Sequence, residues 1–168
     1  TGTPPGFFTN GNVYCHAGGF KVAADYKAGR FDKAFDTFKR ILPDASKSEP
    51  YAQANGYVGP AALRMTHHVS DDPWRTGTVA WDMLNGIDRL LGFRRTLEGF
   101  ELKPQIPSKW KTVSFTRPFR GTDFEITVKR GAKAKMVVDG EEQDSAFVAV
   151  PAAGLGKRKV KIECTIGK

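Results

Sequence analysis

A histidine follows a polar, glycine-rich segment near the start of the sequence. His16 comes after the stretch Asn10-Gly11-Asn12 and precedes small residues, at the expected start of a helix. An imidazole beside a helix N-terminus can donate a hydrogen bond to an anion. The alternative is a histidine that caps the helix or packs locally. Cys15 could pair with His16 as a thiolate, but adjacent side chains seldom face each other, so we expect a core cysteine.

A second group of candidate residues opens a strongly apolar helical pattern. Thr76, Gly77 and Thr78 stand at its start, where free backbone N–H groups, hydroxyl donors and the helix dipole together suit a phosphate or sulfate. Gly77 would let an anion approach the backbone closely. Ordinary capping by threonine is the alternative. Trp74 and Trp81 could stack on a sugar, although a core position is expected for Trp81.

Histidines and aspartates also cluster in the segment 66–72. His67 and His68 are adjacent, so their side chains point apart, and no third ligand follows at a spacing typical of metal sites. We therefore predict no metal site here. Asp71 and Asp72 are candidate carboxylates, but a solvated loop is the simpler interpretation.

Helical spacing dominates before residue 97. Helices are predicted at residues 17–29, 31–42 and 76–91, with a short helix near 61–65 inside a loop-rich stretch at 44–74. The first two are joined so closely that they should form an antiparallel hairpin. The third has an apolar stripe that consists of Val79, Met83, Leu84, Ile87, Leu90 and Leu91, and Gly92 ends the helix.

Alternating residues dominate after residue 97. Five or six short strands with no helix between them predict an antiparallel sandwich, and Asp139-Gly140 indicates a hairpin turn. Phe, Pro and Arg residues at 104–110 and 115–121 are typical of a β-domain joined tightly to its neighbour. We expect them to be structural.

The chain has 168 residues and a formal charge of +8, with two cysteines. Basic residues cluster at 129–135 and 157–161, and in the second cluster they alternate with apolar residues, as on the exposed face of a strand. An anionic substrate, an acidic neighbour or a nucleic acid are the other interpretations. Two distant cysteines form no disulfide framework, which favours a reducing compartment. No apolar run is long enough to span a bilayer.

The motifs occur in an order that resembles the C-terminal part of the inverting β-glycoside phosphorylases, glycoside hydrolase family 94. The resemblance extends over about residues 9–130 and rests on five segments: 10–16, 49–51, 74–81, 97–110 and 115–121. It implies an α + β multidomain fragment. Residues 1–97 would be the last helices of an (α/α)6 catalytic barrel, and residues 98–168 a small antiparallel β-sandwich of jelly-roll type.

The resemblance also implies an activity. Such enzymes cleave a β-linked gluco-oligosaccharide with inorganic phosphate and inversion, and they release an α-sugar 1-phosphate. His16, Thr76 and Gly77 match the family's phosphate-binding residues. The family's general-acid Asp and phosphate-binding Arg lie upstream of the histidine motif, and nothing here matches them. We therefore expect part of an active site, with no catalytic residue in this chain.

Further expectations follow from the resemblance. The partners would be the remainder of the same enzyme, a sugar substrate and phosphate as co-substrate, with no metal or cofactor, no nucleic acid and no membrane. The complete enzyme would be a cytoplasmic homodimer. A non-catalytic carbohydrate- or anion-binding module is the alternative. Its helical hairpin, residues 24–42, resembles one tetratricopeptide unit, although a single unit cannot stack into a solenoid.

Overall fold

The computed structural model describes residues 2–43, 53–62, 69–72 and 76–167. It divides into two compact units, Thr1–Gly86 and Ile87–Lys168, and each is described by itself. Together they form an α + β chain with three helices and several sheets in the described part. The assignment of residues 1–97 to a barrel and 98–168 to a β-domain stays a prediction.

Two helices of the first unit form the predicted hairpin. Helix α1 is Cys15–Lys27 and helix α2 is Phe31–Ile41. Gly29 lies between them at φ +74°, a backbone conformation that glycine adopts without strain. The two helices pack closely, because a Cβ atom at Gly18 would lie 2.8 Å from Ile41 Cγ2. The spacing of small and apolar residues therefore predicted both helices correctly.

Helix α3 begins at the predicted residue, Thr76, and a polar face of this helix is buried. It spans Thr76–Leu84 and continues as a π-helical segment, Asn85–Leu90. Three of its buried residues are polar, namely Thr78, Asp82 and Asn85. Leu90 of the predicted apolar stripe is buried as well, whereas Val79, Met83 and Leu84 of that stripe are exposed. These three residues are therefore not buried within the first unit, because α1 packs against the polar side of α3.

The first unit also contains a small sheet of three short strands. Strand β1, Val13–Tyr14, pairs antiparallel with β2, Gly56–Tyr57, which pairs in turn with β3, Ser70–Asp72. The sequence predicted loops here. These strands are two or three residues long, so they carry no alternating pattern that could identify them. Most of the short helix predicted near 61–65, and the pair His67 and His68, lie outside the described residues.

The second unit contains two sheets. A three-stranded antiparallel sheet has the order β10-β5-β4, and a five-stranded sheet has the order β6-β7-β11-β8-β9. The strands are β4 (Phe93–Arg95), β5 (Gly99–Leu102), β6 (Thr112–Phe119), β7 (Thr122–Arg130), β8 (Lys135–Val138), β9 (Glu141–Gln143), β10 (Phe147–Ala149) and β11 (Lys159–Ile166).

The larger sheet is mixed, which corrects the prediction that all strands are antiparallel. Strand β11 runs parallel to β7, with Val160 opposite Phe124 and Cys164 opposite Val128. Parallel neighbours require a long crossover connection. The segment containing β8, β9 and β10 provides it, and alternation within single strands does not reveal their relative direction.

Alternate residues of the central strands form the core of the second unit. Phe124, Ile126 and Val128 on β7 are almost fully buried. Phe93 and Phe100 stack with ring centroids 4.2 Å apart and extend this core. Their burial and the offset stacking of aromatic rings stabilise the unit.

Arg120 of the predicted junction and Arg130 further along the chain have structural roles. Arg120 donates hydrogen bonds to the carbonyl oxygens of Leu97 and Val150. Arg130 donates to the carbonyl oxygens of Trp110, Ile106 and Pro107. Each guanidinium therefore satisfies carbonyl groups of loops that have no strand partner, which confirms the expectation for Arg120.

The surface of β11 confirms the interpretation of the basic cluster as an exposed strand face. Exposed and buried residues alternate along this strand: Lys159 and Lys161 are exposed, and Val160 and Ile162 are buried. Lys159 pairs with Glu125 at 2.6 Å.

Cys15 and Cys164 are both buried and form no disulfide, as predicted. Among the described residues, no helix has the length and apolar composition needed to cross a bilayer.

Candidate functional site

His16 is positioned by the transition from β1 to α1. The pairing of Tyr14 with Gly56 holds the chain extended up to the residue before the helix. The Cys15 N–H then donates to the carbonyl oxygen of Asn55 at 2.9 Å, and His16 follows as the second residue of α1. Its imidazole is half-buried. The backbone at His16 is therefore held by the strand pairing that precedes it and by the helix that follows.

The His16 ring lies directly against Gly77. A Cβ atom at position 77 would lie 2.6 Å from His16 Cε1 and 3.1 Å from each ring nitrogen. No side chain fits between them, so the absence of one at Gly77 is what allows this approach. The fold thus brings together two of the three predicted phosphate-binding residues. Thr76 is the first residue of α3, and its side chain is outside the described set.

Aromatic rings support the imidazole. The Phe20 ring lies 4.8 Å from the His16 ring, centroid to centroid, and its other side meets Trp81 edge-on at 4.7 Å. Trp81 is half-buried rather than a full core residue. The Tyr14 hydroxyl lies 3.5 Å from His16 Nδ1. Nothing in the one-dimensional pattern of the sequence indicated that Tyr14 and Phe20 would flank His16.

Asn55 connects the starts of the two helices. Thr78 Oγ1 donates a hydrogen bond to Asn55 Oδ1 at 2.9 Å, while the Asn55 carbonyl accepts the Cys15 N–H. Asn55 stands in a stretch predicted as loop, and a polar Asn-Gly pair is a weak signal that does not identify a bridging residue. The Thr78 hydroxyl is occupied by this bond and Thr78 is fully buried, so its side chain is not available to a ligand.

The start of α3 provides the donors of the site. The first four N–H groups of a helix have no partner within it, and the helix dipole places partial positive charge there. An imidazole nitrogen beside these groups adds a further donor. Such an arrangement can hold a dianion by hydrogen bonds from several directions.

A buried carboxyl lies further along α3. Asp82 is 8% exposed, and neither of its oxygens has a hydrogen-bond partner. Burial raises its pKa to about 7. The neighbouring Asn85 donates to the carbonyl oxygen of Gly19 at 2.9 Å, so both residues belong to the packing of α3 on α1. Asp82 was not among the predicted site residues.

Several other candidates lie outside the described residues. They are the segment 49–51, the histidines His67 and His68, and Trp74 and Arg75. Asp71 and Asp72 belong to β3, and their side chains are also outside the described set.

Comparisons with known proteins agree with the resemblance. The family model described as "Glycosyl hydrolase 94 superfamily, catalytic domain" matches residues 1–92. A solabiose phosphorylase from Paenibacillus borealis is 37% identical over 84% of this chain and 20% of its own length. A 3-O-beta-D-glucopyranosyl-beta-D-glucuronide phosphorylase from the same species is 35% identical over 92% of this chain and 22% of its own.

A more distant relative has a different printed substrate. An N,N'-diacetylchitobiose phosphorylase from Vibrio furnissii is 28% identical over 85% of this chain and 19% of its own length. The chain thus spans about a fifth of the length of these curated relatives.

Proposed function

The chain belongs to the glycosyl hydrolase 94 superfamily, and on that premise we propose that it supplies part of the phosphate site of an inverting glycoside phosphorylase. One observation carries the proposal: the His16 imidazole lies against Gly77 at the N-terminus of α3. These two residues are far apart in sequence, and the resemblance implies that both correspond to the family's phosphate-binding positions. Thr76 completes the proposed set.

The proposed reaction uses phosphate as the nucleophile. A phosphate oxygen attacks the anomeric carbon of a β-linked glucoside, the glycosidic C–O bond breaks, and the leaving oxygen takes a proton from a carboxylic acid. The product is an α-sugar 1-phosphate. His16 and the N–H groups at the start of α3 would hold the dianion in line with the bond that breaks.

Other groups of the reaction would come from another part of the complete enzyme. No aspartate of this chain matches the family's general acid, and no arginine matches its phosphate-binding arginine. We propose that both are supplied by a different segment, and that the enzyme needs no metal or organic cofactor. The proposed substrate is a β-linked gluco-oligosaccharide, and the proposed complete enzyme is a cytoplasmic homodimer.

The exposed face of α3 supports the proposed barrel. Val79 is 40% exposed, Met83 58% and Leu84 42%, although α3 is a helix of a family catalytic domain. In an (α/α)6 barrel such a face would pack against other helices, which would remove its apolar surface from water. We propose that residues 1–97 are the last helices of that barrel and residues 98–168 a jelly-roll-like domain.

The proposal is tested by the variant His16→Ala in the complete enzyme. The measurement is the rate of sugar 1-phosphate formation from β-linked glucose disaccharides at increasing phosphate concentration. Loss of a hydrogen bond to a charged ligand should raise the KM for phosphate roughly 10- to 100-fold.

A matched control removes a cation elsewhere. Lys159→Ala deletes a charged side chain from the exposed face of β11 and should leave the KM for phosphate unchanged. An unchanged KM in His16→Ala would contradict the site assignment. Release of free glucose at a rate independent of phosphate would contradict the reaction type.

A further inference from the structure

We infer that Tyr14 is a positioning residue for His16 and places the imidazole proton on Nε2, the ring nitrogen that would face the phosphate. The inference rests on the proposed function and concerns the same site. Its starting observation is the approach of the Tyr14 hydroxyl to His16 Nδ1, at 3.5 Å. Tyr14 is the last residue of β1, and its pairing with Gly56 holds its backbone in place, so the hydroxyl is delivered by an ordered strand.

The His16 ring is contacted on three sides. Its Cε1 edge faces Gly77, the Phe20 ring lies 4.8 Å away at an interplanar angle of 54°, and Tyr14 approaches Nδ1. Cε1 lies between the two nitrogens of the imidazole. Nδ1 therefore faces Tyr14 on one side of the contact with Gly77, and Nε2 lies on the other side. Within the described part of the chain, Nε2 has no hydrogen-bond partner.

The proton distribution follows from this geometry. A neutral imidazole carries one N–H, and the hydrogen bond made by one nitrogen determines the state of the other. When the Tyr14 O–H donates to Nδ1, that nitrogen is an acceptor and the proton is on Nε2. His16 then presents an N–H donor at Nε2, which can bind an anion. Without the tyrosine hydroxyl, the tautomer with its proton on Nδ1 also becomes populated.

The experiment compares variants of the complete enzyme in phosphorolysis assays. Tyr14→Phe keeps the ring and removes the hydroxyl, and we expect the KM for phosphate to rise roughly 3- to 10-fold, the size of one hydrogen bond, with kcat little changed. The matched control is Tyr26→Phe, which removes a hydroxyl from the buried part of α1. It should leave both constants unchanged.

A second pair of variants tests whether Tyr14 acts through His16. His16→Gln keeps an N–H donor near the position of Nε2 and has no group equivalent to Nδ1, so adding Tyr14→Phe to it should cause no further change. His16→Asn places its amide near Nδ1 instead, and it should bind phosphate more weakly than His16→Gln.

The outcomes separate this inference from the proposed function. If both His16 variants leave the KM for phosphate unchanged, the phosphate site itself is wrong. If they raise it but Tyr14→Phe does not, the site stands and the role of Tyr14 is overturned. Equal effects of Tyr14→Phe in the wild-type and His16→Gln backgrounds would also overturn it, since the hydroxyl would then act independently of the imidazole.

Discussion

The imidazole of His16 occupies the space that a side chain at position 77 would fill. A Cβ atom built on Gly77 would lie 2.6 Å from His16 Cε1, closer than two unbonded carbon atoms can approach. Gly77 has no positive φ, so its role here is to leave space rather than to adopt an unusual backbone conformation. The histidine and the start of α3 therefore depend on each other sterically.

We expect Gly77→Ala to damage phosphate binding more than stability. The added methyl group must displace the His16 ring, and a shift of about 1 Å in a positioned group can reduce activity about 100-fold. Alanine is a better helix former than glycine, which offsets part of the steric cost. The measurements are the KM for phosphate and the urea midpoint of unfolding.

Gly86→Ala is the control for that experiment. A Cβ atom there would meet Phe38 Cζ at 3.6 Å, an ordinary contact. Gly86→Ala should cause little change in the KM for phosphate or in the urea midpoint of unfolding. Normal phosphate binding in Gly77→Ala would contradict the steric role assigned to Gly77.

The hydrogen bond from Thr78 to Asn55 predicts a stability effect. Thr78→Val preserves the shape of a fully buried side chain and removes its hydroxyl, so Asn55 Oδ1 loses that donor. Asn55 is only half-buried, and the loss of one ordinary hydrogen bond costs about 0.5–1.5 kcal/mol. We expect the free energy of unfolding to fall by about that amount, measured by urea denaturation.

An exposed threonine provides the comparison. Thr116→Val lies on the exposed side of β6 and should change the free energy of unfolding by less than about 0.5 kcal/mol. Equal effects of the two substitutions would show that the bond to Asn55 contributes no stability of its own.

Asp82 predicts a pH dependence of stability. Burial raises its pKa to about 7 in the folded chain, whereas an aspartate in an unfolded chain titrates near ~3.9. The folded state thus binds the proton more tightly, so stability falls as the pH rises from about 4 to about 7 and is level above that. We expect Asp82→Asn, which stays uncharged, to be more stable than the wild type at pH 8 by about 4 kcal/mol.

Charged groups on the facing helix do not remove this effect. The charged or titratable side chains of α1 are Cys15, His16, Lys21, Asp25, Tyr26 and Lys27. None of them forms a hydrogen bond or ion pair with Asp82. Unfolding curves at pH 5 and pH 8 check the prediction: the stabilisation by Asp82→Asn should be much smaller at pH 5. A difference that does not vary with pH would contradict it.

Asp25 should behave in the opposite way. Hydrogen bonds from Lys21 and then Arg30 hold its pKa below the ordinary value. Asp25 therefore stabilises the folded state at pH values above the pKa that it has in the unfolded chain. This stabilisation is lost as the pH falls through its lower pKa in the folded chain. Asp25→Asn should be less stable than the wild type at neutral pH, with a smaller deficit in acid. This variant is the matched control for Asp82→Asn in the same assays.

Local sequence was sufficient for the parts of the fold that have a strong period. The stripe of Ala34, Phe38 and Ile41 identified α2, and Gly29 and Pro43 identified where the hairpin helices end. Alternation identified β6, β7 and β11 in the same way. These patterns report burial of one face, and the face that is buried is normally the apolar one.

Helix α3 shows where that inference stops. Its periodicity located the helix correctly but did not indicate that a polar side, with Thr78, Asp82 and Asn85, is buried within the first unit. Two of these side chains form specific hydrogen bonds, to Asn55 and to the Gly19 carbonyl, that a pattern of residue types does not encode. The parallel pairing of β11 with β7 is a similar case, since direction depends on a connection between distant segments.

The sequence by itself determined the family, the helical hairpin, the alternating strands and the identity of His16, Thr76 and Gly77 as candidates. Their order along the chain was enough, because each motif is local. Only the tertiary structure decided that His16 rests on Gly77, that Tyr14 and Phe20 contact its ring, and that Asn55 joins the two helix starts. Contacts between residues separated by many positions depend on how the chain packs in space, and packing is set by all of its segments together.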